Sequence, residues 1–485
     1  MEIWDKDLRS IQETRNLIGK AREAQHIFSQ FSQEQVDQVV LRMSEAVEQQ
    51  AERLAKLAHE ETGFGKWQDK VLKNHFASSV VYNYIKELKT VGIIQNDQTN
   101  KIYEVAVPVG IVAGLIPSTN PTSTTIYKAL IALKAGNGII FSPHPSAKNC
   151  ILETVKILST AAVQAGAPDG LIGCIQTPTL QATNELMKHK DIALILATGG
   201  EAMVKAAYSS GTPAIGVGPG NGPAFIEKSA NIALAVKRIM DSKTFDNGVI
   251  CASEQSIVVE REIEAQVVAE LVEQGAYFLS KEESEKLGKW LLRANGTMNP
   301  QIVGKCVEEI ADLAGLSIPK GTKVLISEQT SVSKTNPYSR EKLAPILAFY
   351  CEDNWEKACE RCMELLYNEG KGHTLIMHSE NEEIIREFAL KKPVSRMLVN
   401  TPGALGGIGG TTNLVPALTL GCGAVGGSST SDNVGPLNLI NIRRVAYGVK
   451  ELYDLKSDSP TNLSVKISEE NIEEIIKNLL EEIIR

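Results

Sequence analysis

The chain lacks any apolar run of membrane length. Its longest apolar stretches, such as residues 105–116, are broken by Pro108, Gly110 and Gly114, so no segment approaches the roughly 20 residues that a bilayer span needs. It also lacks an excess of positive charge. A net charge of -8 and a pI near 5.6 exclude nucleic acid and anionic membranes as partners, because both demand a basic surface. The opening residues MEIWDKDLRS carry no signal-peptide pattern. The expected location is therefore a reducing cytoplasm, with all eight cysteines as free thiols.

Two familiar motifs are missing in substance although their letters are present. Cys359 and Cys362 form one C-x-x-C inside WEKACERCMELL, a charged amphipathic helix pattern with no second pair and no histidine pair to complete a metal site. No metal is expected. Gly421, Gly423 and Gly426 match G-x-G-x-x-G, but GSSTS follows where a helix should open, so the dinucleotide fingerprint lacks its context. Close backbone packing is the reading left for those glycines.

What is present is an ordinary globular composition, 485 residues with 43% hydrophobic and 22% charged, enough for two or three domains. Residues 8–88 show helical periodicity, with Val36, Val39, Val40, Met43 and Val47 recurring at three and four. Residues 91–95, NDQTN and 101–107 read as strand, polar turn, strand. Such a hairpin suits an oligomerisation arm.

From 109 to 259 short apolar runs alternate with helices. Strands are expected at 109–116, 138–141, 170–175, 193–197 and 224–226, with helices at 122–134, 147–165, 179–189 and 202–208. This βα alternation implies an α/β fold with a parallel sheet and ligands at the carboxyl ends of its strands. Asn120-Pro121 sits at one such end. The pair fits a helix start, with Asn as cap and Pro at the first position, which spacing alone favours; the other reading is an amide that donates to a developing oxyanion.

The stretch 242–256, SKTFDNGVICASEQS, places Cys251 between the turn residues Asp246-Asn247-Gly248 and the strand-like run QSIVVE. A thiol held on a short rigid connection can be a nucleophile when its surroundings favour the thiolate. It can also be a small buried hydrophobe.

Together, LIPSTNPTSTTIYKALIALKAGNGIIFSPHP, ILATGGEAMVKAAYSSGTPAIGVGPGN, SKTFDNGVICASEQS and EKLAP make the chain resemble the CoA-acylating branch of the aldehyde dehydrogenase superfamily. The likeness runs from about Asn16 to about Tyr447 and is closest to the aldehyde half of bifunctional aldehyde-alcohol dehydrogenases. Single-domain relatives act on acetaldehyde, succinate semialdehyde or sulfoacetaldehyde. The resemblance implies a dinucleotide-binding domain (1–90 and 109–228), a catalytic domain (229–435) and a hairpin oligomerisation arm (91–108 and 436–455). It implies NAD as cofactor, CoA as co-substrate, a short-chain aldehyde with acetaldehyde foremost, and a homodimer or homotetramer.

Carried over residue by residue, the resemblance makes Cys251 the acylated nucleophile and Asn120 the oxyanion donor. Leu115, Ile116, Pro117, Ser118, Thr119 and Asn120 line the nicotinamide side. Gly199, Gly200 and Gly218 let the pyrophosphate approach the backbone, and Glu341 holds the nicotinamide ribose. His373 matches a Gly-His-Thr stretch of acylating relatives and could serve as base for the CoA thiol; a core or strand-edge histidine is the other reading. Where hydrolytic members place a water-activating glutamate, Gly216 aligns. A thioester formed there is open to a thiol rather than to water. Where those members contact the adenosine ribose with Lys and Glu, this chain has FSPHP at 141–145, which leaves NAD against NADP open. A hydrolytic enzyme and a catalytically idle shell-associated scaffold are the competing functions; Cys251 together with Asn120 speaks against the second.

Beyond a polar linker at 456–467, Ile472, Ile475, Ile476, Leu479, Leu480, Ile483 and Ile484 fall on one helical face within 468–485. The segment resembles encapsulation peptides that deliver aldehyde dehydrogenases to bacterial microcompartments, a second expected location. Folding back onto its own domain or a neighbouring subunit is the alternative.

Overall fold

The computed structural model describes residues 5–457 together with 476, 477 and 479. All but three residues of the helix expected over 468–485, and most of the linker before it, fall outside the described residues. One compact unit comprises the chain up to Gly92 and Ala106–Ile442; a second comprises Ile93–Val105 and the chain from Arg443.

The first unit opens with helices Lys6–Phe28, Gln33–Glu48, Ala51–Thr62 and Trp67–His75, the last continuing through a π-helical turn, Phe76–Val80, into Val81–Ile85. The periodic residues Val36, Val39, Val40, Met43 and Val47 are all buried, which is why that face docks. Ser32 starts the second helix by accepting from Gln35 N–H while the Gln35 side chain returns to the Ser32 N–H, a reciprocal cap that satisfies two otherwise orphaned donors.

Five parallel strands follow in the spatial order Ile172–Cys174, Gly138–Pro143, Ile111–Ile116, Ile192–Ala197, Ala214–Gly216. The chain builds outward from Ile111–Ile116 in one direction, then returns to its other side with Ile192–Ala197. This reversal is a topological switch point, where neighbouring loops diverge and leave a crevice at the carboxyl ends. The helix Pro121–Lys134 that leaves the crevice is buried at every residue, so it is a fixed post behind the loop 117–120. Lys128 on that helix donates to the carbonyls of Leu115 and Leu196 at 2.8 Å each, tying together the two strand ends that bound the crevice.

A second parallel sheet has seven strands in the order Ala276–Phe278, Val324–Glu328, Ile346–Glu352, Glu254–Glu260, Gly222–Ile226, Gly372–His378, Val394–Val399. Here the structure moves one boundary. Residues 224–226, expected with the dinucleotide-binding sheet that was to end at 228, pair with Glu254–Glu260 and Gly372–His378. A buried parallel strand is apolar throughout whichever sheet it joins, so its periodicity could not name its partners.

The expected hairpin forms from Gly92–Asp97 and Ile102–Pro108, with Ile440–Ala446 as third strand beside the second. Asp97 closes the turn by accepting from the N–H groups of Thr99 and Asn100. Among the described residues no helix is long and apolar enough to cross a membrane, and all eight cysteines are free thiols.

Candidate active site

A cavity of about 250 Å³ opens at the switch point. Its walls come from four loops. Pro117, Ser118, Thr119 and Asn120 follow the strand Ile111–Ile116; Thr198, Gly199 and Gly200 follow Ile192–Ala197; Val217, Gly218 and Pro219 follow Ala214–Gly216; Val249, Ile250 and Cys251 precede Glu254–Glu260. Glu341, His144 and Lys73 also line it, as do Thr124 and the apolar Leu343, Ile408, Leu418 and Leu420. The structure thus brings Cys251, Asn120, Glu341 and the three glycines to one place. Leu115 and Ile116 are buried strand residues just behind it.

Cys251 stands after a turn of three consecutive positive-φ residues, Asp246 (47°), Asn247 (53°) and Gly248 (75°). Left-handed conformations at non-glycine residues store strain and persist only where surrounding contacts enforce them. Those contacts are present. Asp246 is fully buried, accepts from Lys66 N–H (2.6 Å) and Lys70 Nζ (3.0 Å), and donates its own N–H to Asp69 (2.7 Å). Asn247 donates to the Gly304 carbonyl at 2.9 Å. The loop before Cys251 is therefore rigid. Burial pushes the Cys251 thiol up to about 12, with the Glu341 carboxylate adding to the shift and Arg396 opposing it.

Asn120 occupies the cap position of helix Pro121–Lys134, yet its side chain makes no capping bond. The cap reading of this residue is set aside by that geometry. Its Oδ1 accepts from Lys73 Nζ, while its Nδ2 donates to the Val249 carbonyl at 3.3 Å and Thr119 Oγ1 at 3.4 Å. Two long bonds on an amide N–H₂ facing the cysteine loop leave it able to turn toward a better acceptor.

Glu341 Oε1 accepts from Gly220 N–H at 2.8 Å. Burial, then repulsion from Glu369, pushes its carboxyl up to about 8. Gly220 itself lies against the Cys251 backbone: a Cβ there would fall 1.9 Å from the Cys251 carbonyl oxygen.

Gly200 caps the helix Glu201–Tyr208 without a side-chain bond, and neither Gly200 nor Gly218 has an atom within 4 Å of where a Cβ would stand. These positions leave bare backbone around the cavity, as an approaching pyrophosphate requires. Gly216 does not line it. A Cβ at Gly216 would lie 2.7 Å from Val204 Cγ1, and the residues of that segment that do line the cavity, Val217, Gly218 and Pro219, carry no proton acceptor.

His373 is not brought to the cavity. It lies in the strand Gly372–His378, fully buried, with Nδ1 against Thr374 Oγ1 at 2.9 Å and Nε2 without a hydrogen-bond partner. Burial, then the Arg396 guanidinium, pushes it down to about 3. A Gly-His-Thr match locates a residue in the sequence without saying which way a buried strand turns it. Conversely, Lys70, Lys73 and Asp246 were missed. The available signal was two lysines three apart in line with Ala77 and Val81 on a helix, a face that is buried and therefore needed an acid.

Residues 5–343 match the aldehyde dehydrogenase family. The bifunctional aldehyde-alcohol dehydrogenase AdhE of Escherichia coli (strain K12) is 46% identical over 442 residues, 90% of this chain and 50% of that protein; the chain spans about half the length of such curated relatives. The crystal structure of a probable aldehyde dehydrogenase from Listeria monocytogenes EGD-e is 68% identical with a TM-score of 0.92, covering 93% of this chain and 100% of that one. An acetylating aldehyde dehydrogenase from Geobacillus thermoglucosidasius is 55% identical with a TM-score of 0.91, covering 93% and 99%. Sequence match, backbone likeness and the thiol-amide cavity agree, and the chain belongs to the aldehyde dehydrogenase family.

Proposed function

We propose that the protein oxidises a short, uncharged aldehyde, acetaldehyde foremost, and transfers the acyl group to CoA with NAD as oxidant. The observation that carries this reading is a cavity holding Cys251 and Asn120 in which Glu341 is the one carboxylate among the described lining residues, and that carboxylate is engaged by Gly220 N–H. The acetylating relative from Geobacillus and the aldehyde half of AdhE support it.

In this reading the Cys251 thiolate adds to the aldehyde carbon, and the alkoxide that forms is held by Asn120 Nδ2 and the Cys251 N–H. NAD, when bound, would supply the hydride acceptor and a positive charge that favours the thiolate. Loss of hydride leaves a Cys251 thioester. With the cavity's one carboxylate, Glu341, held by Gly220 N–H and protonated below about pH 8, the CoA thiolate rather than water attacks the acyl carbon, and Cys251 departs as thiolate, ready for another cycle. Bare backbone at Gly199, Gly200 and Gly218 would hold the pyrophosphate, and Glu341 the ribose.

Charge sets the substrate class. The cavity's one lysine, Lys73, is already bonded to Asp246 and Asn120, and burial pushes His144 below its ordinary range. A carboxylate or sulfonate on the aldehyde would find no free cation among the described lining residues. At about 1.4 kcal/mol per tenfold, even a modest unpaired-charge penalty gives acetaldehyde at least a tenfold advantage in kcat/KM over succinate semialdehyde and sulfoacetaldehyde.

The test is NADH formation with each aldehyde, with and without CoA. Without CoA, acetaldehyde should give one burst near one NADH per chain and then stall. Steady turnover without any thiol, near the CoA rate, would establish water as the acceptor and sink the reading. Preference for either anionic aldehyde would remove the charge argument.

A further inference from the structure

We infer that Lys73 is a positioning residue for the reaction proposed above: anchored on Asp246, its ammonium holds the Asn120 carboxamide oxygen and so presents the amide N–H₂ to the developing oxyanion. The inference rests on Asn120 being the oxyanion donor. Lys70 and Lys73, which make the contacts that carry it, lie outside the four stretches that carried the resemblance.

A carboxamide has two nearly isosteric ends, and the environment decides which faces inward. Lys73 settles it. A lysine ammonium has three donors and no acceptor, so the atom of Asn120 beside Lys73 Nζ is the oxygen, and the nitrogen must point the other way, to Val249 O and Thr119 Oγ1. A cation on the oxygen also polarises the amide and strengthens its N–H donors. Lys73 is itself 2% exposed and lines the same cavity as Cys251 and Asn120.

The ammonium is fixed from behind. Asp246 accepts from Lys73 and from Lys70, and Lys70 also donates to the Thr119 carbonyl at 3.2 Å. The two lysines, three apart on Trp67–His75, thus join the Asn120 loop to the left-handed Asp246 turn five residues before Cys251. Nucleophile and oxyanion donor are referenced to one helix. That helix runs into the π-helical turn Phe76–Val80, an irregularity found preferentially at functional sites.

The groups facing Lys73 are Asp246, Lys70 and Asp69. Burial pushes Lys73 down to about 8 against the attraction of Asp246, with Lys70 adding to the fall. Above that pH the ammonium deprotonates and its hold on Asn120 weakens. Hydride transfer should therefore slow as pH rises through about 8; the Glu341 carboxyl also lies at about 8, so the part of that limb that moves in Lys73→Arg is the part this lysine carries.

The test is a double-mutant cycle on the NADH burst rate with acetaldehyde and NAD, read with thermal melting. Lys73→Met should lower the burst rate about 10- to 100-fold with KM for aldehyde changed less than about threefold, and Lys73→Arg should recover part of the loss and shift the alkaline limb upward. In an Asn120→Ala background, Lys73→Met should cost less than about threefold more. Because Lys73→Met leaves Asp246 short of one cation, Lys73→Met with Asp246→Asn serves as the folded control, and it should show the same slow burst. Full additivity of the Lys73 and Asn120 losses, or a parental burst rate in the folded control, would overturn the inference. If the parent enzyme itself makes no CoA-dependent NADH, the proposed function has failed instead, and the two failures are told apart.

Discussion

Gly220 is the position where the smallest change should do the most damage to catalysis. A Cβ on Gly220 would stand 1.9 Å from the Cys251 carbonyl oxygen and 2.8 Å from its carbonyl carbon. A carbon and a carbonyl oxygen ordinarily approach to about 3.3 Å, so Gly220→Ala forces a displacement of roughly 1.4 Å. Both neighbours are backbone, so no side chain can swing aside. The Asp246 turn is pinned by Lys66, Lys70 and Asp69, which leaves the Cys251 segment and the Gly220 N–H bond to Glu341 to absorb the strain. A misplacement of about 1 Å at a reacting group costs about 100-fold in rate, equivalent to about 2.7 kcal/mol of barrier. Overpacking itself costs about 1–3 kcal/mol of stability. The expected result is a burst of NADH slowed about 100-fold in stopped flow, from protein that remains folded at assay temperature. Gly19→Ala is the control. It lies within helix Lys6–Phe28 with no atom within 4 Å of its would-be Cβ, and should gain about 0.5–1 kcal/mol. A Gly220→Ala burst within threefold of the parent would show that the backbone at Cys251 is not held as argued.

Two further outcomes follow from the same cavity. Gly218→Ala meets no atom within 4 Å, so melting should be unchanged while KM for NAD rises about tenfold, the new methyl standing where ligand must approach; an unchanged KM would remove Gly218 from the cofactor site. Glu341 titrates at about 8 in the folded chain against an ordinary 4.5. The folded state thus keeps a proton through that window that the unfolded state releases, and the stability it contributes is complete below about pH 4.5 and lost as pH rises to about 8. Glu341→Gln should therefore raise the denaturation midpoint relative to the parent at pH 9 and not at pH 5, whereas an equal difference at both would show that its carboxyl is not raised.

The helical entry layer and the βα alternation were legible because both rest on local periodicity. The helix expected at 122–134 is Pro121–Lys134, and the strand expected at 193–197 is Ile192–Ala197. The turn before Cys251 was legible because Asp, Asn and Gly are the residues that tolerate positive φ. Strand partnership was not, since residues 224–226 look the same in either sheet. Nor was the Lys70–Lys73–Asp246 cluster: its members are 173 or more residues apart from acid to base, and in a linear text a buried lysine cannot be told from a solvated one. The unused cap at Asn120 is the reverse case, where a local rule is satisfied in sequence and declined in space because Lys73 holds the side chain elsewhere.

The packing at Gly216 closes an evolutionary road. Its N–H donates to the Tyr208 hydroxyl at 2.9 Å and its carbonyl accepts from that hydroxyl at 3.1 Å, while a side chain there would collide with Val204 and the Tyr208 ring. Both belong to the helix Glu201–Tyr208, whose first turn borders the cavity at Gly200. A glutamate at this site would therefore have to displace Val204 and the Tyr208 ring, and with them the helix that borders the cavity, before it could activate water under the proposed reading.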